Sequence, residues 1–471
     1  MTQLFKNNAT GTLSVAIASA LTTSLVLQAG QGASFPSPTG GDFFTLTLIG
    51  RDVNGAENSW EIVNVTARSS DTLTVVRGQE GTTAAAAWGV GTSVSLRMTA
   101  GTLASLAPKA GAVLTSPVVD SLNGGQLAGF RNRIINGDMR IDQRNKGAAV
   151  IPLSSASFYA CDRFSSVCTQ SSKYSMQQIA AAAGLGFSNW LNAVSLSAYA
   201  VIAADTFGFF QAIEGLNVQD LNFGTAAAKP ITISFTAQSS VVGTHSGAVV
   251  NSAGTRSYPF TYNIAAANTP TKISVTIPGD TSGTWLTDTG AGLLLRFNLG
   301  SGANFSGAAG SWQVGNFVGA TGAVSVVAIN GATASISQVQ LELGSSATPF
   351  EQRPIQVEQA LCERYLPSWT VAGVSGTYAG MAYSTSVVVI GLPMRVKTRV
   401  PPTGVSVTSS NFQVTQNNGA LTGSGGLTIL PSSVDCMTVQ PVAAAGLVAG
   451  NVTQLATSGT PSTIFGTGCE L

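Results

Sequence analysis

Apolar residues recur at every second position through long stretches of this chain. Ile231, Ile233 and Phe235 alternate with Thr232, Ser234 and Thr236. Ile273, Val275 and Ile277 alternate with Ser274 and Thr276, and Leu293, Leu295 and Phe297 form a third such run with Arg296 between the last two. A period of two predicts strands with one buried face. Further strands are expected at Ser24 to Ala29, Phe43 to Ile49, Trp60 to Thr66, Asp71 to Val76 and Val94 to Met98. Leu13, Val15, Ile17 and Leu21 alternate with small residues and predict a first strand; Ser14, Ser19 and Thr22 to Ser24 interrupt the stretch too often for a secretory signal. Asn-Gly pairs at 54, 123, 136, 330 and 418 suit the positive backbone angles of tight hairpins. Many one-sided strands between glycine-rich turns predict an all-β chain built on sandwiches.

Composition narrows the function. Only 9% of the 471 residues are charged, against about 25% in an ordinary soluble domain. The 22 Lys and Arg nearly balance the 21 Asp and Glu, so no basic excess exists to neutralise phosphates and no nucleic-acid partner is expected. No run of about 18 apolar residues predicts membrane insertion. With 44% hydrophobic residues the chain can bury large cores, which argues against disorder. Five scattered cysteines show no metal-ligand spacing and read as buried free thiols of a protein assembled in a reducing cytoplasm. The one histidine, His245, leaves little room for a Ser-His-Asp triad. No cofactor is expected.

Four segments are expected: a small β domain (1–100), a connector (101–130), a large sandwich (131–365) and a β-rich tip (366–471). In the connector Thr102 to Lys109 predicts one short helix, stopped by Pro108 and Gly111. Its leucines and valines would be poorly covered in a lone chain, which favours a multi-chain stalk.

Two sets of strings carry a resemblance. The first is Asn7-Asn8-Ala9-Thr10, the Phe35 to Pro38 loop, Glu61 to Arg68, and Val75 to Thr82 (Val-Val-Arg-Gly-Gln-Glu-Gly-Thr). These resemble the N-terminal domain of bacteriophage tail fibre and related virion proteins. Read on their own, Arg77 and Glu80 would be a surface turn pair. The second is the opening Asn132 to Asp138, the string Tyr159 to Phe164 (Tyr-Ala-Cys-Asp-Arg-Phe), and the closing Gln340 to Gly344. These resemble a jelly-roll domain of phage tail fibre and tail-tip proteins that is itself similar to carbohydrate-binding modules. The resemblance implies an elongated homotrimer on the virion, a phage tail component assembled in the host cytoplasm. Residues 1–100 would attach to other tail or baseplate proteins. A host surface polysaccharide would be the outward partner and adsorption the function. A structural virion component without receptor recognition, such as a baseplate, collar or head fibre, and a polysaccharide depolymerase remain as alternatives; a non-enzyme is expected.

Candidate chemistry lies in aromatics and charges. An aromatic face packs on a pyranose while Asn, Gln, Ser and Thr bond its hydroxyls. Trp285, in a Thr/Gly/Asp-rich loop, Trp312 beside Gly310 and Ser311, and Tyr258 are the expected glycan-binding residues. Asp280, Thr281 and Asp288 could instead hold Ca²⁺ through hard oxygens, although no metal is expected. Arg131, Arg133, Arg140, Arg144 and Lys146 with Asp138 and Asp142 form the densest charge, read either as a site for acidic sugars or, preferably, as ion pairs joining sandwich and stalk. Asp138 with Asp142, or Glu342 with Glu351, are the carboxylate pairs a glycosidase would need.

Overall fold

The computed structural model describes residues 3–85, 87–106, 130–154, 156–373, 378–416, 419–424, 426–441 and 446–471. Most of the expected connector, including the end of its helix, and part of the glycine-rich turn near 417–426 lie outside the described residues. The chain divides into two compact units, residues 1–117 and 118–471. Among the described residues it is nearly all β, as the alternation predicts.

The first unit is an antiparallel sheet of β1 (Thr10–Thr12), β2 (Ser24–Val26), β3 (Phe44–Arg51), β4 (Glu57–Ser69), β5 (Thr72–Gln79) and β6 (Ser93–Ser95), in the order β1-β6-β3-β4-β5-β2. A short helix α1 (Ala100–Leu106) follows. Leu25, Leu46, Leu48, Val63, Val65 and Leu73 fill the core. The strand expected over Leu13 to Leu21 does not form. Leu13 and Ile17 are buried and make isolated bridges to Leu27 and Trp88, while Val15 and Leu21 are exposed. The carbonyls of Ser19 and Thr22 accept hydrogen bonds from Arg77 instead of from a neighbouring strand.

Arg77 itself overturns the surface-turn reading. It is buried and clamps the fully buried carboxylate of Glu61 through two 2.6 Å contacts. Trp88 Nε1 and the N–H groups of Gly78 and Ala85 also donate to that carboxylate. Burial would raise the Glu61 pKa, but these donors together hold it below the usual range. Glu80 does something else: it accepts from Thr99 Oγ1 and the Gly101 N–H at the start of α1.

The second unit opens with a jelly-roll sandwich. Its strands are β7 (Tyr159–Cys161), β8 (Phe164–Cys168), β9 (Tyr174–Ala180), β10 (Asn189–Ser195), β11 (Thr206–Glu214), β12 (Ile231–Ser239), β13 (Gly243–Val250), β14 (Arg256–Ile264), β15 (Thr271–Ile277) and β16 (Ala291–Ser301). The short β17 (Ser306–Gly307), β18 (Gln313–Val314) and β19 (Gly319–Ala320) precede the closing β20 (Thr333–Leu343). One antiparallel sheet runs β15-β12-β20-β10-β9 and the other β18-β14-β13-β16-β11-β8-β7. Phe209, Phe235 and Phe297 meet between them, with ring centroids 5.2 to 5.4 Å apart. Each such buried ring contributes about 1.5–3 kcal/mol.

After β20 comes α2 (Ile355–Glu363), then the tip: β21 (Ser368–Val371), β22 (Tyr378–Ala382), β23 (Val388–Pro393), β24 (Gly404–Val407), β25 (Phe412–Gln416), β26 (Gly419–Ser424), β27 (Leu427–Leu430), β28 (Cys436–Pro441), β29 (Val452–Thr457) and β30 (Ser462–Thr467). They form a seven-stranded sheet, β26-β25-β29-β22-β23-β28-β27, and a three-stranded one, β21-β30-β24, around Trp369, Ile390, Leu392, Phe412 and Val439.

The dense charges are paired within one chain, and one of them, Arg144, joins sandwich to tip. Residues 132–137 run along β20: Arg133 N donates to Leu341 O, and Val339 N to Gly137 O. A Cβ at Gly137 would lie 2.2 Å from the Val339 carbonyl oxygen. Asn136-Gly137 is therefore a close-approach site and not a hairpin; Asn136 takes φ 58° and its amide donates to Ile141 O and Asp162 O. Glu351 accepts from the N–H groups of Phe130 and Asn132, Glu358 from that of Asn136, and Arg353 bridges both glutamates. Arg144 and the buried Arg163 share the Glu470 carboxylate at 2.7 and 2.9 Å. Arg399 of the tip donates to the carbonyls of Cys469 and Glu470 and also to Thr289 O of the sandwich, so with Arg144 and Arg163 it fastens the residues after β30 to the sandwich. Arg140 pairs with Asp138 and Arg133 with Asp220.

Candidate functional site

A groove of about 420 Å³ lies on the β12–β15 side of the five-stranded sheet. It follows from the polar phase of the alternation. On β12 and β15 the inward residues Ile231, Ile233 and Ile277 are fully buried, and the opposite phase presents Ser234 and Thr236 beside Lys272 and Ser274. The loop after β20 supplies a wall of Thr348, Pro349 and Phe350, with Gln352 beyond it.

A β-bulge shapes the floor. The β12–β20 register slips between Ser234 and Thr236, and Gln338 is held at φ 52°, a backbone region that is strained for a non-glycine residue. Its Oε1 accepts from Thr236 Oγ1 at 3.0 Å. The Gln338 amide NH₂ and the side chains of Ser234, Lys272, Ser274 and Gln352 have no hydrogen-bond partner among the described residues. The wall, in contrast, is rigidly held: Thr348 donates both its N–H and its hydroxyl to Glu342, at 2.8 and 2.6 Å. Hydroxyl and amide groups facing a gap beside an aromatic ring can exchange water for the hydroxyls of a sugar. The groove was not among the sequence-derived sites because its wall arrives from a loop 70 residues or more beyond β15. The signal that existed was the run of Ser and Thr on one face of β12 and β15.

The expected aromatics do come together, elsewhere on the sandwich. Trp285 and Trp312 meet edge to face at 5.4 Å, and Phe223 packs on both at 4.9 and 5.7 Å. Tyr258, expected to bind glycan, meets Trp312 at 5.3 Å, but it is buried at 6% exposure and belongs to the core, where a sugar does not reach it. The indole N–H groups are already bonded, Trp285 to Ser282 O and Trp312 to Pro278 O. The two tryptophans are half-buried, and the adjoining cavity of about 130 Å³ is lined by Leu221, Phe223, Leu286 and Leu293. This cluster reads first as a satellite of the core.

The other candidates are engaged structurally. Asp280 accepts from Arg256 Nε and Nη2 at 2.8 and 2.7 Å and from Ser282 N, so its oxygens are not free for Ca²⁺; Asp288 caps the Gly290 N–H. No group of three or more His, Cys, Asp or Glu gathers in metal-binding geometry among the described residues. Asp142 bonds the N–H groups of Asn145 and Gly147. His245 is buried, stacks on Tyr262 and meets Val241 O at 2.8 Å; burial lowers its pKa. All five cysteines are free thiols.

No protein-family profile and no curated protein matches the chain. Among solved structures it is similar to the enzymatically active domain of tailspike protein 4 of bacteriophage CBA120, at 13% identity and a TM-score of 0.23. That match covers 45% of this chain and 22% of the tailspike chain. A putative sugar binding protein from Bacteroides thetaiotaomicron matches at 13% identity and a TM-score of 0.26, over 45% of this chain and 100% of that one. A carbohydrate-binding module of family 4 matches at 11% and 0.22, over 44% and 98%. Similarity this remote assigns no activity.

Proposed function

We propose that this protein is a phage tail fibre component that mediates adsorption by binding a host surface glycan in the β12–β15 groove. The groove carries the reading: it is a concave site walled by Phe350, with the side chains of Ser234, Ser274, Gln352 and Lys272 and the amide NH₂ of Gln338 free to bond a ligand. The family-like strings at 75–82, 132–138, 159–164 and 340–344 supply the virion context. Residues 1–100 attach to a tail or baseplate protein, and three chains associate. Weak sites repeated on one fibre and on several fibres raise avidity without high single-site affinity.

The test uses labelled protein on a panel of purified bacterial surface polysaccharides. Ser274→Trp places a large ring in the groove from an exposed position of β15. It should reduce binding at least about tenfold, a loss of 1.4 kcal/mol or more, with an unchanged melting temperature. Equal binding by wild type and variant would remove the groove from the function.

A further inference from the structure

One half-buried arginine stands apart from the paired arginines described. Arg296 lies on β16, half-buried, on the outer face of the seven-stranded sheet. Among the described residues its guanidinium has no hydrogen-bond partner and no salt bridge, and its Nε is buried. Arg256, Arg163, Arg353 and Arg364 each reach a carboxylate. Burial lowers the Arg296 pKa to about 10, and no nearby acid offsets it.

The neighbours explain why no partner is present. Across the sheet Arg296 is paired with Phe210 on β11 and Ala248 on β13, and the row continues to Ser165 and Pro259. None of these is acidic. The Phe210 ring centroid lies 5.7 Å from the guanidinium carbon, so the ring flanks the cation. Two residues along the strand Asn298 is held by Ser246, and a Cβ at Gly319 would meet both, so β19 roofs that end. At the other end Leu471 packs on Ala212, Ala248, Val250 and Leu294. A buried donor group without an acceptor is destabilising unless something else supplies one.

We propose that Arg296 and Phe210 form a second saccharide subsite, on the sheet opposite the groove, that takes one anionic substituent of a sugar, a carboxylate or a phosphate. The planar guanidinium matches either group with two parallel hydrogen bonds, and the ring covers the apolar face of the sugar that bears it. The proposal goes beyond groove binding and does not require it.

The intact protein is titrated calorimetrically with oligogalacturonate as the carboxylate probe and glucose 1-phosphate as the phosphate probe, with neutral maltooligosaccharide alongside. At least one anionic probe should bind, and the one that binds identifies the group. Arg296→Met should weaken it at least about tenfold, and Arg296→Lys, which keeps the charge but not the fork, should fall between. Because the arginine lacks a partner in the free protein, Arg296→Met should melt at or above the wild-type temperature, whereas a structural arginine would lower it. Failure of both anions to bind, or binding that survives Arg296→Met, overturns this site. Ser274→Trp and the polysaccharide panel report on the groove separately, so loss there with an unchanged anion titration removes only the proposed function.

Discussion

Asp162 stands in the Tyr-Ala-Cys-Asp-Arg-Phe string, fully enclosed, and accepts from the N–H and side-chain amide of Gln143 at 3.0 and 2.6 Å. Burial raises its pKa to about 6 from an ordinary 3.8, with the Gln143 bonds and Arg144 opposing. A carboxyl raised in the folded state favours its protonated form. The associated stability is present below the unfolded pKa and is lost as pH rises through the folded value. Relative to Asp162→Asn, the wild-type second unit should therefore lose roughly 2 kcal/mol between pH 4 and 7. Thermal melts of both proteins across that range check this; a difference independent of pH would refute it. Glu61 has the opposite sign: its lowered pKa gives stability above about 4.5 that falls away on acidification. At this scale the sequence was only partly legible. Arg77, Glu80 and Asp162 were visible as motif members, but a partner such as Glu61, 16 residues before Arg77, depends on strand register. Tyr258 was legible as aromatic, while its inward phase on β14 was not.

The strands were the most legible elements. β12, β15 and β16 carry the alternation that predicts them, because their inner phase meets a shared core and their outer phase meets water or polar neighbours. β11 and β13 carry apolar residues on both faces, since Leu471 and β19 cover their outer side. That covering comes from 70 residues away or more and leaves no local pattern. The element most dependent on distant chain is the stretch after β30. Glu470 pairs with both Arg144 and Arg163, and Arg163 also lies over the Tyr365 ring at 3.6 Å. Removing one partner of a buried pair costs about 3–5 kcal/mol, because the other charge stays buried. Glu470→Ala should lose about 3 kcal/mol of that in urea unfolding of the intact protein. A loss under about 0.5 kcal/mol, the range of ordinary surface substitutions, would show that the clasp is not needed.

At the scale of the whole molecule, low charge content goes with extensive pairing of the charges present. Few surface groups are ionic, and most of the ions that exist are paired inside one chain, such as Arg77 with Glu61, Arg364 with Glu214 and Arg353 with Glu358. The dense cluster at 131–146 was legible as ion pairing, but its partners are Asp138 within the cluster, Asp220 in the sandwich and Glu470 after β30, which a reading of a sandwich–stalk boundary does not find. Association of three chains remains the proposal for residues outside this pairing; light scattering of the purified protein should give about three times the chain mass, and a clean single-chain mass would exclude it. One further consequence comes from the run of 132–137 alongside β20. Chain enters the sandwich next to the strand by which it leaves, so the sandwich resembles a cassette whose two leads lie side by side. Such a piece can be exchanged between proteins without rerouting the surrounding backbone. Yet Arg144 and Arg163 reach forward to Glu470, and Glu214 reaches to Arg364 and Tyr365. The piece that keeps these pairs intact is therefore 130–471 as a whole: a graft that stopped at residue 365 would carry two arginines whose counter-ion had been left behind.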